Sequence, residues 1–121
     1  MIHILSNFAA YSFGAYFIYL SPFIGAVGGF LTGSNTASNT MFIKLQTQTA
    51  AEIGSTPLLA ACAQNVSSSM ITMINPSRVT LSTSVCKVEK HENIIQKKMV
   101  FIVAGTLSVL GLEIFLFSLC V

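Results

Sequence analysis

The sequence predicts an all-α membrane protein. Hydrophobic residues make up 53% of its 121 residues and charged residues only 8%, whereas about a quarter of a soluble domain is charged. The mean hydropathy is +0.74, and no Asp, Glu, Lys or Arg occurs from residue 1 to residue 42. The net charge of +2 is too small for a nucleic-acid surface. We therefore expect a lipid bilayer around the chain and no nucleic-acid partner.

Apolar runs and turn residues divide the N-terminal part into two helices. Residues 4–20 form an apolar helix near the lower length limit for a membrane span. Ser21 is a preferred N-cap and Pro22 suits the first helical position, so a new helix is expected to begin at Pro22. Between Pro22 and Gly33 this helix would be about 18 Å long, against a hydrocarbon core of about 30 Å. It should therefore end inside the membrane.

A cluster of polar side chains follows that short helix. Residues 33–39 read Gly-Ser-Asn-Thr-Ala-Ser-Asn, and a second helix that restarts near residues 36–38 would stop at Gly54. We predict that residues 22–51 form a re-entrant helical hairpin with its tip at residues 33–39. In a bilayer, polar non-helical backbone is tolerated only where it is buried in protein or lines a water-filled cavity. The alternative is a surface loop between two spans.

The predicted tip has the chemistry of an anion site. A helix N-terminus presents unpaired N–H groups and the positive end of the helix dipole, and hydroxyl and amide side chains add donors and acceptors without buried charge. The candidate substrate-binding residues of the tip are Ser34, Asn35, Thr36, Ser38 and Asn39. Lys44, one to two turns further on, is a candidate for charge coupling. Its alternative is a lysine that extends to the membrane surface.

Three glycines share one face of the first hairpin helix. Gly25, Gly29 and Gly33 form a double GxxxG pattern, which lets another backbone approach closely. The helix after the tip is the expected partner. The same pattern could instead serve only for helix association, so a small membrane interaction subunit with no transport role is the alternative function.

A second interrupted helix is predicted at residues 57–86. Serines compete with the backbone for hydrogen bonds and Pro76 removes a helical donor, so a break is expected near residues 67–76. Gln64 and Asn65 precede this break and are further candidates for substrate binding. Arg78 is the only arginine and could bind a carboxylate with two hydrogen bonds. Alternatively, Arg78 anchors a helix near the interface.

The rest of the chain reads as a loop at residues 87–98 and a terminal membrane helix at residues 99–121. The loop is rich in lysine, and the positive-inside rule places it in the cytoplasm. Glu113 is a second candidate for charge coupling, with a structural, outward-facing carboxylate as the alternative. The three cysteines, which lack CxxC spacing, are expected to be small buried hydrophobes: Cys62, Cys86 and Cys120. We predict no metal site, no cofactor and no catalytic residues, so the chain should not be an enzyme.

Several of these stretches resemble the L-lactate permease family, from about Ser21 to about Lys87. They are residues 33–39 with Met41-Phe42, Leu45-Gln46, Ala63-Gln64-Asn65-Val66 and Asn75-Pro76-Ser77-Arg78-Val79. The resemblance implies the C-terminal fragment of a polytopic helical transporter in the bacterial cell membrane. It also implies lactate or a related 2-hydroxy monocarboxylate as substrate, symport with a proton, and the missing N-terminal part of the same transporter as partner.

The chain departs from this family in two ways. Residues 67–69 are serines, with Thr72 shortly after them, where many lactate permeases have a glycine-rich stretch followed by a lysine. Members of the family are also several times longer. The resemblance therefore implies half of a binding site and a fragment that is inactive alone.

Overall fold

Six α-helices account for most of the chain in the computed structural model, which describes residues 2–120 without the side chains of residues 2 and 118. They are α1 (Ile2–Phe13), α2 (Phe17–Thr32), α3 (Asn35–Glu52), α4 (Pro57–Ile71), α5 (Pro76–Val85) and α6 (Glu92–Cys120). Short 3-10 turns lie at Gly14–Tyr16, Thr72–Ile74 and Glu89–His91. The described residues contain no strand, which confirms the predicted all-α class. The predicted end of the terminal helix, Val121, lies outside the described residues.

A bend at Gly14 joins α1 to α2. Gly14 has a φ of 49°, a left-handed conformation that glycine adopts without steric penalty. On the N-terminal side of the bend, α1 lies beside the end of α3. Ser6 Oγ of α1 donates a hydrogen bond of 3.0 Å to Glu52 Oε1. The structure differs here from the sequence prediction, because Pro22 lies buried inside α2 and does not begin a helix. A proline removes only one helical donor, and the chain bends at the glycine instead.

The turn between α2 and α3 is tighter than predicted. Gly33 ends α2 with a φ of 62°, and its N–H donates to the carbonyl of Gly29 over 2.9 Å. Ser34 then caps α3, which begins at Asn35. Residues 35–39 are therefore helical rather than part of a loop, because the serine cap starts the helix earlier. Re-entry of this hairpin into a membrane stays a prediction.

The glycine face of α2 packs against α4, not against α3 as predicted. A Cβ added at Gly25 would lie 3.0 Å from the carbonyl oxygen of Gln64, and one at Gly29 would lie 2.6 Å from that of Ser68. Gly28, which directly precedes Gly29, faces α3 instead. A Cβ added at Gly28 would lie 2.6 Å from Ser38 Oγ. α2 and α4 thus run parallel in close contact, and α3 runs antiparallel beside them.

The interruption after α4 is shorter than predicted. α4 continues as regular helix to Ile71 and only Thr72–Ile74 and Asn75 depart from it. Ser67 Oγ donates to the carbonyl of Ala63 over 2.6 Å, so this serine bonds within the helix and does not unwind it. Asn75 caps α5, with Pro76 in the first turn.

The terminal helix α6 begins seven residues earlier than the sequence predicted, at Glu92 instead of residue 99. Residues 92–98 contain no helix-breaking residue, and a glutamate in the first turn is favoured by the helix dipole. α6 packs on α2 and α4 through a cluster of buried residues that comprises Ala26, Ile71, Ile74, Val103 and Leu107. Two helical stretches, 3–32 and 89–117, are long and apolar enough to cross a membrane.

The cysteines are not buried as the sequence suggested. All three lie exposed, on faces that the rest of the described chain leaves uncovered. Composition alone gave no information about which helix faces would be covered, so the expectation of burial was wrong.

Candidate functional site

The hairpin tip and the break after α4 lie side by side. The Asn75 side chain donates from Nδ2 to the carbonyl of Phe30 over 2.9 Å, and a Cβ added at Gly33 would lie 3.0 Å from the same nitrogen. α5 continues beyond this point for about 15 Å, and Thr80 on it donates a 2.6 Å hydrogen bond to Glu92 of α6. The tip therefore ends well short of the end of the bundle.

Three asparagines meet where the start of α3 faces α4, and we call them the carboxamide cluster: Asn35, Asn39 and Asn65. Asn35 Nδ2 donates to Asn65 Oδ1 over 3.0 Å, and Asn39 Nδ2 donates to the same oxygen over 2.7 Å. The Oδ1 atoms of Asn35 and Asn39 are buried and have no hydrogen-bond partner among the described residues. The cluster thus contains two buried acceptor oxygens without a partner among the described residues.

The position of the cluster follows from helix geometry. Asn35 and Asn39 are four residues apart in α3, so they lie on one face. The first backbone N–H groups of a helix have no intrahelical acceptor. Ser34 Oγ accepts from the backbone N–H of Ala37 over 3.4 Å. The backbone N–H groups of Asn35 and Thr36 are left for another acceptor. Positive helix-dipole charge is therefore concentrated beside neutral amide side chains.

A continuous chain of hydrogen bonds lies beneath the cluster, and we call it the amide chain: Ser21, Gln46, Gln64 and Ser38. All four residues are fully buried. Ser21 Oγ donates to Gln46 Oε1, Gln46 Nε2 donates to Gln64 Oε1, and Gln64 Nε2 donates to Ser38 Oγ over 3.0 Å. The chain links α2, α3 and α4 through groups that carry no charge.

This arrangement can bind a small anion that also carries a hydroxyl group. The free N–H groups at the start of α3 are donors for carboxylate oxygens, and the Oδ1 atoms of Asn35 and Asn39 are acceptors for a hydroxyl proton. Within the described residues no group of three or more His, Cys, Asp and Glu could hold a metal ion.

The structure brings some of the predicted site residues together and leaves others apart. Asn35, Asn39 and Asn65 form one cluster, and Ser34 caps the helix that carries two of them. Thr36 is exposed, and its carbonyl accepts from Thr40 over 2.9 Å. Ser38 and Gln64 are buried in the amide chain.

The three charged candidates lie outside this arrangement. Each is exposed on a different helix, and none of their side chains makes a hydrogen bond or ion pair with another described residue: Lys44 on α3, Arg78 on α5 and Glu113 on α6. Their side chains therefore make no hydrogen bond to the carboxamide cluster or to the amide chain.

Sequence reasoning missed Gln46 and Ser21 as site residues. Ser21 was interpreted as a helix cap, and Gln46 entered only through the family resemblance. A signal for Gln46 was present, because Ser38, Gln46 and Thr49 are spaced by eight and three residues and so share one face of α3. All three are fully buried. A stripe of polar residues at helical spacing in an apolar protein indicates a buried hydrogen-bonded network.

An apolar helical bundle in which interrupted helices bring polar groups together is typical of secondary membrane transporters. Comparison with known proteins gives the particular family, since the model of the L-lactate permease family matches residues 1–120. The chain belongs to the L-lactate permease family. Its relatives are permeases and not enzymes.

Three individual relatives match between 57% and 59% of the chain. The L-lactate permease of Halalkalibacterium halodurans is 37% identical over 71 residues, which is 59% of this chain and 14% of the relative. The L-lactate permease of Escherichia coli is 39% identical over 69 residues, 57% of this chain and 12% of the relative. A glycolate permease of Escherichia coli is 38% identical over 69 residues, with the same coverage. The chain thus spans 12–14% of the length of these relatives, and no solved structure matches it.

Proposed function

We propose that this chain is a segment of a secondary transporter for lactate or a related 2-hydroxy monocarboxylate such as glycolate. Transport would be symport with a proton across the bacterial cell membrane, where the segment would be part of a multi-pass bundle. The observation that carries the proposal is the carboxamide cluster at the N-terminus of α3, where the Oδ1 atoms of Asn35 and Asn39 have no hydrogen-bond partner among the described residues and the first backbone N–H groups of the helix have no intrahelical acceptor.

A 2-hydroxy carboxylate is complementary to these groups. Its carboxylate would accept hydrogen bonds from the amides of Asn35 and Thr36, where the helix dipole favours negative charge. Its hydroxyl would donate to Oδ1 of Asn35 or Asn39. Neutral amides suit a substrate that must also leave, because they avoid the large desolvation penalty of a buried ion pair.

The cluster would be one half of the binding site. Its exposed member Asn65 needs a covering surface, and the missing N-terminal part of the same transporter would supply it. We therefore propose that the chain does not transport alone. The side chains of Lys44, Arg78 and Glu113 are exposed and make no hydrogen bond or ion pair with the described residues. These charges would therefore be free to meet that missing part, Arg78 as a carboxylate ligand and the others in charge coupling.

Membrane depth supports the same proposal. The tip lies beside Asn75, and α5 extends about 15 Å beyond it. If α6 spans the bilayer, the residue next to Asn75 lies within its apolar part, since Ile74 belongs to the buried cluster that includes Val103 and Leu107 of α6. A polar tip at that level is expected to line a cavity.

A small membrane interaction subunit is less well supported. That alternative relied on the GxxxG face of Gly25, Gly29 and Gly33, together with polar contacts, for association with another helix. In this chain the face is already covered by α4 and Asn75, so it offers no free GxxxG surface.

Uptake of labelled L-lactate by cells without lactate transport tests the proposal. The chain would be co-expressed with the preceding segments of the Escherichia coli L-lactate permease, as wild type and as Asn35→Ala, Asn39→Ala or Asn93→Ala. Asn93 is an exposed control residue on α6. We expect the first two changes to lower uptake about tenfold at equal membrane abundance, because each removes a hydrogen-bonding amide from the site. Uptake that matches the Asn93→Ala control would reject the cluster as the site.

A further inference from the structure

We infer that Gln46 is a positioning residue for the proposed transport site, with Ser21 as its anchor. The inference rests on the proposed function and adds residues to its site. Gln46 would act through Gln64 and would not touch the substrate, because its side chain is fully buried between α2, α3 and α4.

The direction of every hydrogen bond in the amide chain is fixed at Ser21. The backbone carbonyl of Ser21 can only accept, and Gln46 Nε2 donates to it over 3.2 Å. The orientation of the Gln46 amide is thereby set, with its oxygen toward the Ser21 hydroxyl and its nitrogen toward Gln64 Oε1. Since Gln64 Oε1 must accept, Gln64 Nε2 must point to Ser38.

The last bond of the chain sets the spacing of the carboxamide cluster. Ser38 directly precedes Asn39, and Gln64 directly precedes Asn65. The 3.0 Å bond from Gln64 to Ser38 therefore holds the two helix segments in the register at which Asn39 reaches Asn65 over 2.7 Å. Gln46 supports this register because its Nε2 holds the Gln64 side chain at the position from which Gln64 Nε2 reaches Ser38.

Replacing the Gln46 amide by a carboxyl group makes this role measurable. An ionised carboxylate has no proton to donate to Gln64 Oε1 or to the Ser21 carbonyl, so two buried oxygens would face a negative charge and the Gln64 side chain would be displaced from its position beside Ser38. A protonated carboxyl can accept from the Ser21 hydroxyl and donate to Gln64, although its single proton leaves the Ser21 carbonyl without the second donor that the Gln46 amide supplies. The polar groups that hydrogen-bond to Gln46 are Ser21 and Gln64, neither of which titrates.

The test compares three variants with the wild type in the co-expression system described above. They are Gln46→Glu, the apolar Gln46→Met, and the control Gln96→Glu on α6, whose amide makes no hydrogen bond to another described residue. KM and maximal uptake of labelled L-lactate are measured at acidic, neutral and mildly alkaline pH, per amount of protein in the membrane, and are divided by the wild-type values at the same pH.

We expect the KM ratio of Gln46→Glu to be lowest at acidic pH and to rise about tenfold as pH increases. The KM ratio of Gln46→Met should be raised about tenfold at every pH, because its side chain never donates to Gln64. Gln96→Glu should keep a ratio near one throughout. A purely structural role for Gln46 would lower membrane abundance and leave KM unchanged.

In cells where the wild type transports, the KM ratio of Gln46→Glu could equal that of the Gln96→Glu control at all pH values. That result would overturn the inference but not the proposed function. Absence of uptake by the wild-type pair would overturn the proposed function and the inference with it. If the variants at position 46 fail to accumulate, Ser21→Ala replaces them. It removes one donor and leaves Gln46 Nε2 bonded to the Ser21 carbonyl, and we expect about a threefold rise in KM; an unchanged KM would overturn the inference.

Discussion

Asn39 donates a 2.7 Å hydrogen bond from its side-chain nitrogen to Asn65 Oδ1, which joins the start of α3 to the middle of α4. Asn35 donates to the same oxygen over 3.0 Å. One acceptor thus holds two turns of α3 against α4. Because Asn65 Oδ1 is used for this contact, the proposed substrate would accept a hydrogen bond from Asn65 Nδ2 instead.

Asn65→Asp should disable transport while it preserves the contact between the helices. An aspartate oxygen can still accept from Asn35 and Asn39, but the second oxygen cannot donate and adds negative charge beside the proposed anion site. We expect the KM for labelled L-lactate to rise at least about tenfold with unchanged membrane abundance. Asn93→Asp adds the same charge on α6 as a control, and equal KM values for the two variants would contradict the prediction.

Gly29→Ala should destabilise the fold. The added Cβ would lie 2.6 Å from the carbonyl oxygen of Ser68, and a backbone atom cannot move away as a flexible side chain can. We expect a loss of about 1–3 kcal/mol, measured as a lower midpoint of thermal unfolding in detergent. Gly105→Ala is the matched control in α6, since an added Cβ there meets no atom within 4 Å. A midpoint for Gly29→Ala equal to that of the control would show that α2 and α4 are not in close contact.

A comparison of Gly33→Ala with Gly54→Ala separates the cost of backbone strain from the cost of a close contact at Gly33, the glycine of the hairpin tip. Both glycines have a positive φ, 62° and 74°, so either alanine costs about 1–2 kcal/mol from backbone strain alone. Only at Gly33 would the new Cβ also approach a neighbour, 3.0 Å from Asn75 Nδ2. We expect Gly33→Ala to lower the unfolding midpoint more than Gly54→Ala does. The reverse order would argue against contact between the tip and the break.

The ends of the bundle should lie on opposite sides of the membrane. The turn near Ser55 and the loop near Lys90 are separated by α4, the break and α5, and the excess of lysine predicts that the loop is cytoplasmic. In a variant without native cysteines, Ser55→Cys should react with an impermeant maleimide in intact cells, and Lys90→Cys should react only after permeabilisation. The opposite pattern would invert the proposed orientation.

The sequence was sufficient for the helical class, because apolar runs act locally. It predicted a tip at residues 33–39 and a helix start near residues 36–38, whereas Ser34 caps a helix that begins at Asn35. It could not tell that Pro22 stays within a helix, since Gly14 provides an easier place to bend. It also gave the glycine face the wrong partner, because spacing identifies a face but not the helix that covers it. The amide chain depends on contacts between Ser21, Gln46 and Gln64 that are far apart in sequence, and only the packed helices reveal them.

Uptake of labelled L-lactate by the paired segments tests the central claim most directly. Three cell lines would express this chain alone, the preceding segments of the Escherichia coli L-lactate permease alone, or both together. The account predicts uptake only when both are present, with competition by unlabelled glycolate, because each part supplies half of the site. Absence of uptake from the pair, with both parts detected in the membrane, would contradict it.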